Sequence, residues 1–124
     1  GQGADWWARH NARKTTHGRP RLLQTMYCQD LVISNITLKD SPFWTTHIWN
    51  SQRVEVAFVK VSAPIDSPNT DGVDPDSSSD VHVHDCVIDE GDDCIAVKSG
   101  MNEAGIKFGV PCKNILIERT SCRG

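Results

Sequence analysis

Aromatic residues are scarce in these 124 residues, at 6%, and the few present are not interleaved with lysine or arginine. Basic side chains number 13 against 16 acidic ones, a formal net charge of −3. No patch can therefore neutralise a run of phosphates, which argues against nucleic acid as a partner. Long apolar runs are missing as well. The stretch from Val56 to Val59 ends at Lys60 and Ser62, far short of the roughly 20 apolar residues of a membrane-spanning helix, so no membrane insertion is expected. Gly1 to His10 lacks the basic start and apolar core of a secretory leader, and there is no initiator methionine. We read the chain as beginning inside a longer protein. No paired Cys-x-x-Cys spacing offers a zinc module, and the five cysteines form an odd set, so at least one thiol is free or pairs outside the chain. Together with the sequon Asn35-Ile36-Thr37 they point towards an extracellular protein.

Helical periodicity is also weak. Gly1 to Pro20 reads as loop with one short strand, and no helix longer than two turns is expected anywhere. What the sequence does contain, from Leu22 onward, is a series of short β-branched runs separated by Asn, Asp, Ser, Pro and Gly. Four of these runs are alike. The segments starting at Asp30, Arg53, Asp80 and Asn114 share a polar residue, an apolar one, any residue, then an apolar one. Aligning their first apolar positions, Leu31, Val54, Val81 and Ile115, gives steps of about 23, 27 and 34 residues, with Gly100 to Pro111 as an insertion in the last. Strand-rich repeats of this length predict an all-β fold, a right-handed parallel β-helix in which each repeat forms one coil. A leucine-rich repeat is disfavoured because its Leu-rich consensus is absent. Coils stack about 4.8 Å apart, so equivalent positions of successive repeats become neighbours.

Nine aspartates lie between Asp66 and Asp93. Two turns stand out. Asn69-Thr70-Asp71-Gly72 and Gly91-Asp92-Asp93-Cys94 follow equivalent strands one coil apart, so stacking should bring Asp71 beside Asp92 and Asp93. Crowded carboxylates cannot all ionise cheaply, and mutual repulsion should leave one protonated beside charged bases. Glycoside cleavage needs that pairing of acid and base. Solvated turn aspartates and a calcium site are the competing readings of the same cluster.

The two turns, with Val73-Asp74-Pro75-Asp76-Ser77-Ser78 between them and Ile95-Ala96-Val97-Lys98-Ser99-Gly100 after, resemble the polygalacturonases of glycoside hydrolase family 28. Gly1-Gln2-Gly3, Trp6-Trp7, Arg19-Pro20 and Phe43-Trp44-Thr45-Thr46-His47 are also similar to that family. Family members are right-handed parallel β-helices, in agreement with the repeats. The resemblance implies inverting hydrolysis of α-1,4-linked galacturonan in pectin, leaning exo-acting, by a secreted cell-wall protein that is monomeric at full length and uses no cofactor and no metal. It implies Asp92 as general acid, Asp71 and Asp93 as bases, and Asn69 as a residue that positions Asp71 or touches the sugar. It also implies a disulfide between Cys94 and Cys122. A Gly-His-Gly motif and an Arg-Ile-Lys motif are expected of the family and are absent here. Residues 1–124 are accordingly read as the middle coils of one β-helix domain, inactive alone and with apolar stacking faces open at both ends. Alternatives are a rhamnogalacturonan hydrolase, a calcium-dependent lyase of the same fold, and a truncated carbohydrate-binding β-helix without catalysis.

His47 lies one repeat before Asp71 and is a candidate to line the same groove; Lys98 is a candidate partner for a galacturonate carboxylate, or else a solvated turn lysine. Both are assigned to substrate binding. His82 and His84 alternate with Val81 and Val83, which places them on an outward strand face with Cys86 at the same parity. Trp44 and Trp49 could stack on sugars, although interior filling is the commoner use of an aromatic.

Overall fold

The structure is a computed structural model that describes residues 1–123. Eleven strands form three parallel sheets, each strand pairing with its equivalent one coil away. Sheet 1 contains β1 (Leu23–Met26), β4 (Thr46–Trp49) and β7 (Val73–Asp76). Sheet 2 contains β2 (Gln29–Ser34), β5 (Gln52–Ala57), β8 (Ser79–His84) and β10 (Lys113–Glu118); sheet 3 contains β3 (Thr37–Lys39), β6 (Lys60–Ser62), β9 (Val87–Asp89) and β11 (Ser121–Arg123). The register matches the repeat alignment residue for residue: Leu31 pairs with Val54, Val54 with Val81, and Val81 with Ile115. In the fourth coil sheet 1 continues only as bridges from Val73 to Ile95 and from Asp76 to Lys98.

The corners are built by backbone conformation. Tyr27, Asn50 and Ser77 stack with positive φ, as do Asp30, Arg53, Asp80 and Asn114, and again Asn35, Phe58, Asp85 and Arg119. Asn and Asp tolerate this left-handed region, which is why they punctuate the sequence at these spacings. One corner carries a polar ladder. The Cys28 amide donates to Ser51 Oγ at 3.1 Å, the Ser51 amide to Ser78 Oγ at 3.0 Å, and the Ser78 amide to Cys112 Sγ at 3.4 Å.

The core is a column of inward side chains from the inner coils, Val54, Val56, Val61, Val81, Val83 and Ile88 among them, all at most 2% exposed. Leu23, Leu31, Leu38 and Ile115 of the first and last coils pack on it and are partly buried. Cys86 corrects the parity reading: it is 2% exposed and belongs to the core, because the positive φ of Asp85 turns the chain and breaks the strand alternation.

Two helices were not anticipated as such. α1 (Gly3–Asn11) occupies part of the expected loop. Asp5 in its first turn and Arg9 and His10 in its last suit the helix dipole, and Trp7 donates its indole N–H to the Ser41 carbonyl at 3.0 Å. Most of its residues stay exposed, so no apolar stripe announces it. α2 (Asn102–Phe108) fills the insertion and ends at Gly109, whose φ of 67° a glycine adopts freely. Among the described residues no helix is long and apolar enough to cross a membrane.

Candidate active site

The two aspartate turns come together as stacked corners leading into sheet 1. The Gly72 amide donates to the Asp93 carbonyl at 2.9 Å and the Thr45 amide to the Asp71 carbonyl at 2.7 Å, so Trp44, Asp71 and Asp93 occupy one column. Gly72 and Gly91 are required by crowding: a Cβ on Gly72 would strike the Cys94 carbonyl and Ile88, and one on Gly91 the Ser67 carbonyl. The Gly91 amide instead donates to Thr70 Oγ1 at 3.1 Å, which ties the second turn to the first. A disulfide between Cys94 and Cys122, with Cα atoms 5.7 Å apart, fastens the same turn to the chain beyond it.

Asp92 and Asp93 are exposed at the surface, whereas Asp71 is buried. Asn69 orients Asp92 rather than Asp71: its Nδ2 donates to Asp92 Oδ2 at 3.2 Å, while its Oδ1 accepts from Arg19 Nη2 at 2.6 Å. Arg19 also donates to the carbonyls of Pro42 and Pro68, which clamps three turns around the amide. Lys98 is not a solvated turn residue. Its ammonium donates to Asp71 Oδ2 at 3.2 Å and Asp74 Oδ1 at 3.0 Å and lies 4.4 Å from the centre of the Trp44 ring.

One cation cannot neutralise two buried carboxylates. Burial raises the pKa of Asp71, against the opposing pull of Lys98. Burial and then the charge of Asp71 push Asp74 up to about 7, and its Oδ2 has no hydrogen-bond partner. For Lys98, burial works against the ammonium but Asp74 and Asp71 outweigh it and lift its pKa above the ordinary lysine range. Of the two carboxyls that share Lys98, Asp74 is the one driven furthest towards its protonated form.

Glu90 makes a second proton store. It is fully buried, its Oε2 accepts the Asp92 amide at 2.6 Å, and its Oε1 is unpartnered. Burial first, with Asp71, Asp92 and Asp93 adding their charge, pushes it up to about 7 despite that amide bond.

His47 sits opposite Asp74 in the sheet 1 register. Its Nε2 lies 3.0 Å from Asp76 Oδ2 and its Nδ1 2.8 Å from Gln24 Oε1. Both nitrogens thus face acceptors, an arrangement suited to the imidazolium, but burial outweighs Asp76 and lowers the pKa of His47. Burial thus opposes the charged form that the two acceptors favour. Trp44 and Trp49 are half-buried on the outer face of sheet 1, not inside the coil.

The whole chain matches the model of "Glycosyl hydrolases family 28", over residues 1–124. It belongs to this family. It is 45% identical over 122 residues to a "Probable polygalacturonase" of Vitis vinifera, covering 98% of this chain and 25% of that protein. A "Polygalacturonase" of Chamaecyparis obtusa is 36% identical, with 86% and 22% covered. Among solved structures, an exopolygalacturonase from Thermotoga maritima superposes with a TM-score of 0.79 at 31% identity, covering 82% of this chain and 22% of that one. The chain spans about a quarter of the length of the curated relatives it matches. A polygalacturonase from Erwinia carotovora superposes with a TM-score of 0.77 at 25% identity, covering 93% of this chain and 30% of that one, and this family 28 chain shares the right-handed parallel β-helix of both structures.

The motif-based reading of this family 28 site missed Asp74 and Glu90. Asp74 is detectable in principle, since it falls two residues before Asp76 on the face that carries His47. Nothing in the sequence marks Glu90 as buried; its burial follows from the close approach of Gly91 to Ser67. Among the described residues no group of three or more His, Cys, Asp or Glu is arranged to hold a metal ion.

Proposed function

We propose that these coils carry the carboxylate half of an extracellular, monomeric pectin hydrolase that cleaves α-1,4-linked galacturonan with inversion. The observation that supports this most directly is the stacking of Asp71 on Asp93, with Asp92 exposed beside them and oriented by Asn69. Asp92 gives its proton to the leaving glycosidic oxygen as that bond to the anomeric carbon breaks. Asp71 and Asp93 hold a water on the other face; its oxygen bonds to the anomeric carbon and its proton passes to one of them. The excess of carboxylates over cations favours retention of a proton within the cluster, which the acid step requires.

Two finer points belong to the same reading. Exo attack is supported by Asp74-Pro75-Asp76 on the outer face of sheet 1 and by likeness to an exopolygalacturonase. Secretion is supported by the Cys94–Cys122 disulfide, which an oxidising compartment maintains. Turnover is assigned to the protein that also holds the Gly-His-Gly and Arg-Ile-Lys segments the resemblance calls for, and the isolated 124 residues are expected to be inactive.

The test is Asp92→Asn in the natural protein. Reducing-sugar release from polygalacturonate should fall by about a hundredfold to ten-thousandfold with circular dichroism unchanged. Undiminished release would remove Asp92 from the acid role. Unsaturated product ends would favour a lyase, and release from rhamnogalacturonan alone would favour the other backbone.

A further inference from the structure

Of the six asparagines in the chain, only Asn35 heads an Asn-x-Ser/Thr triplet, Asn35-Ile36-Thr37, the acceptor sequence for N-linked glycans. The triplet turns the corner from β2 into β3, between sheets 2 and 3 and away from the aspartate turns that lead into sheet 1. Asn35 stands there at a φ of 54°, which an asparagine tolerates, and all three residues are exposed. The backbone of the corner is tied down: the Asn35 amide donates to the Ala57 carbonyl at 3.2 Å, and the Lys60 amide donates to the Ile36 carbonyl at 3.0 Å. Its acceptor side chain is free. Among the described residues the Asn35 carboxamide has no hydrogen-bond partner, whereas Asn69 is held by Arg19 and Asp92, and Asn114 donates to Asp80 at 2.9 Å.

The same corner of the next three coils holds Phe58, Asp85 and Arg119. Asp85 and Arg119 pair with each other at 2.9 Å. Asn35 stacks instead on Phe58, which stays 58% exposed although a coil lies on either side of it. A side chain at this corner is therefore left open when a neighbouring coil docks, and the accessibility of Asn35 is a property of the corner itself. The Phe58 backbone is one strand spacing, about 4.8 Å, along the stack from that of Asn35. From the following coil, His84 meets the ring edge to face at 5.9 Å; Asn35 lies in the preceding one.

Resting on the reading of the protein as extracellular, we propose that Asn35 is an N-glycosylation site and that the first N-acetylglucosamine lies over the Phe58 ring. The donor is an oligosaccharide carried on a lipid diphosphate, and the catalyst is the transferase that reads the triplet. Asn35 Nδ2 bonds to the anomeric carbon of the sugar as the bond from that carbon to the diphosphate oxygen breaks. The lipid diphosphate leaves with that electron pair, and one amide proton passes to a base of the transferase. Once attached, the apolar face of the sugar and its acetyl methyl cover a ring that otherwise faces water.

The experiment expresses the natural protein in cells of its source, alkylates free thiols at lysis, and reads the Asn35 peptide by mass spectrometry before and after peptide:N-glycosidase, which leaves an aspartate where a glycan was attached. A hexosamine-bearing peptide is expected, lost in Thr37→Ala and kept in Thr37→Ser. Both variants retain the asparagine that the left-handed corner favours. In hydroxyl-radical footprinting of the folded protein, oxidation of Phe58 should rise about twofold when the glycan is removed, as for a ring with one of its two faces uncovered. A bare Asn35 in protein whose Cys94–Cys122 disulfide has formed overturns the site and leaves secretion standing. A bare Asn35 with both thiols reduced overturns the site and the extracellular reading together. A glycan whose removal leaves Phe58 oxidation unchanged supports the site and overturns its packing on the ring.

Discussion

The outer faces of sheets 1 and 2 come from the same coils and the same stacking register, and they handle charge in opposite ways. On sheet 2, Arg119 bridges Asp85 at 2.9 Å and Glu118 at 2.8 Å, Glu118 accepts from His82, and His84 lies between Glu55 and Asp85 at 3.0 and 2.7 Å. Each group has a partner of opposite sign one coil away or next in the chain, and most are well exposed. On sheet 1 and the turns that lead into it, Asp71 and Asp74 share a single ammonium, Glu90 has none, and carboxylate oxygens of Asp74 and Glu90 are buried without a partner. Stacking one coil on the next serves as a way to pair charges on one face and to crowd them on the other. The crowded face is the one with something to do, since an unsatisfied buried carboxylate is held there only because the rest of the fold outweighs it.

Removing the shared cation should separate the two faces most sharply. Lys98→Met leaves Asp71 and Asp74 buried together without a counterion and is expected to cost about 3 kcal/mol or more, read as a lower urea midpoint. An unshifted midpoint would mean that both carboxylates are protonated in the native state.

The next largest effect concerns pH. Asp74 and Glu90 are pushed up to about 7, so between the ordinary carboxylate range and about 7 the native state binds more protons than the unfolded chain. Stability should fall as pH rises through that window. Glu90→Gln should flatten the decline of melting temperature, and an unaltered slope would place the proton elsewhere.

The smallest effect belongs to sheet 2. Arg119→Met removes two exposed ion pairs and should leave the urea midpoint nearly where it was, because solvent screens them. The pH signature of the histidine on this sheet runs the same way for a different reason, and that of Asp85 runs the opposite way. Asp85 and then Glu55 raise the pKa of His84, so its contribution is complete below the ordinary histidine range and is lost as pH rises through the raised value. Asp85 is held down to about 2, chiefly by Arg119 and then His84, and its contribution is lost only as pH falls towards that value. A large midpoint shift in Arg119→Met would erase the contrast between the faces.

How much of this is legible without coordinates follows from what repeats. The polar–apolar–any–apolar unit fixes the β-helix and its register because a one-residue slip would turn Val54 or Val81 out of the core, and the juxtaposition of Asp71 with Asp93 follows from register alone. Features that depend on departures from the repeat are harder to see. Cys86 lies one residue past a left-handed corner, so strand parity no longer describes it. α1 hides because it docks through little more than Gly3 and Trp7, and α2 because the insertion has no partner coil to match. The carboxylates that Lys98 meets are hard to read for a further reason: its long side chain crosses from the register position of Asp76 to Asp74 and Asp71, a reach that sequence spacing does not encode.

The ladder of Cys28, Ser51, Ser78 and Cys112 has a direction. Each amide is received by the side chain of the coil made after it, and only the last, on Cys112, is received within its own coil, by Ser99 Oγ at 3.1 Å. During synthesis from the N-terminus, this corner of a coil stays unpaired until its successor has emerged and docked. An amide left dry and unpaired is costly, so each coil is finished by the next, and the order of translation is also the order in which this column closes.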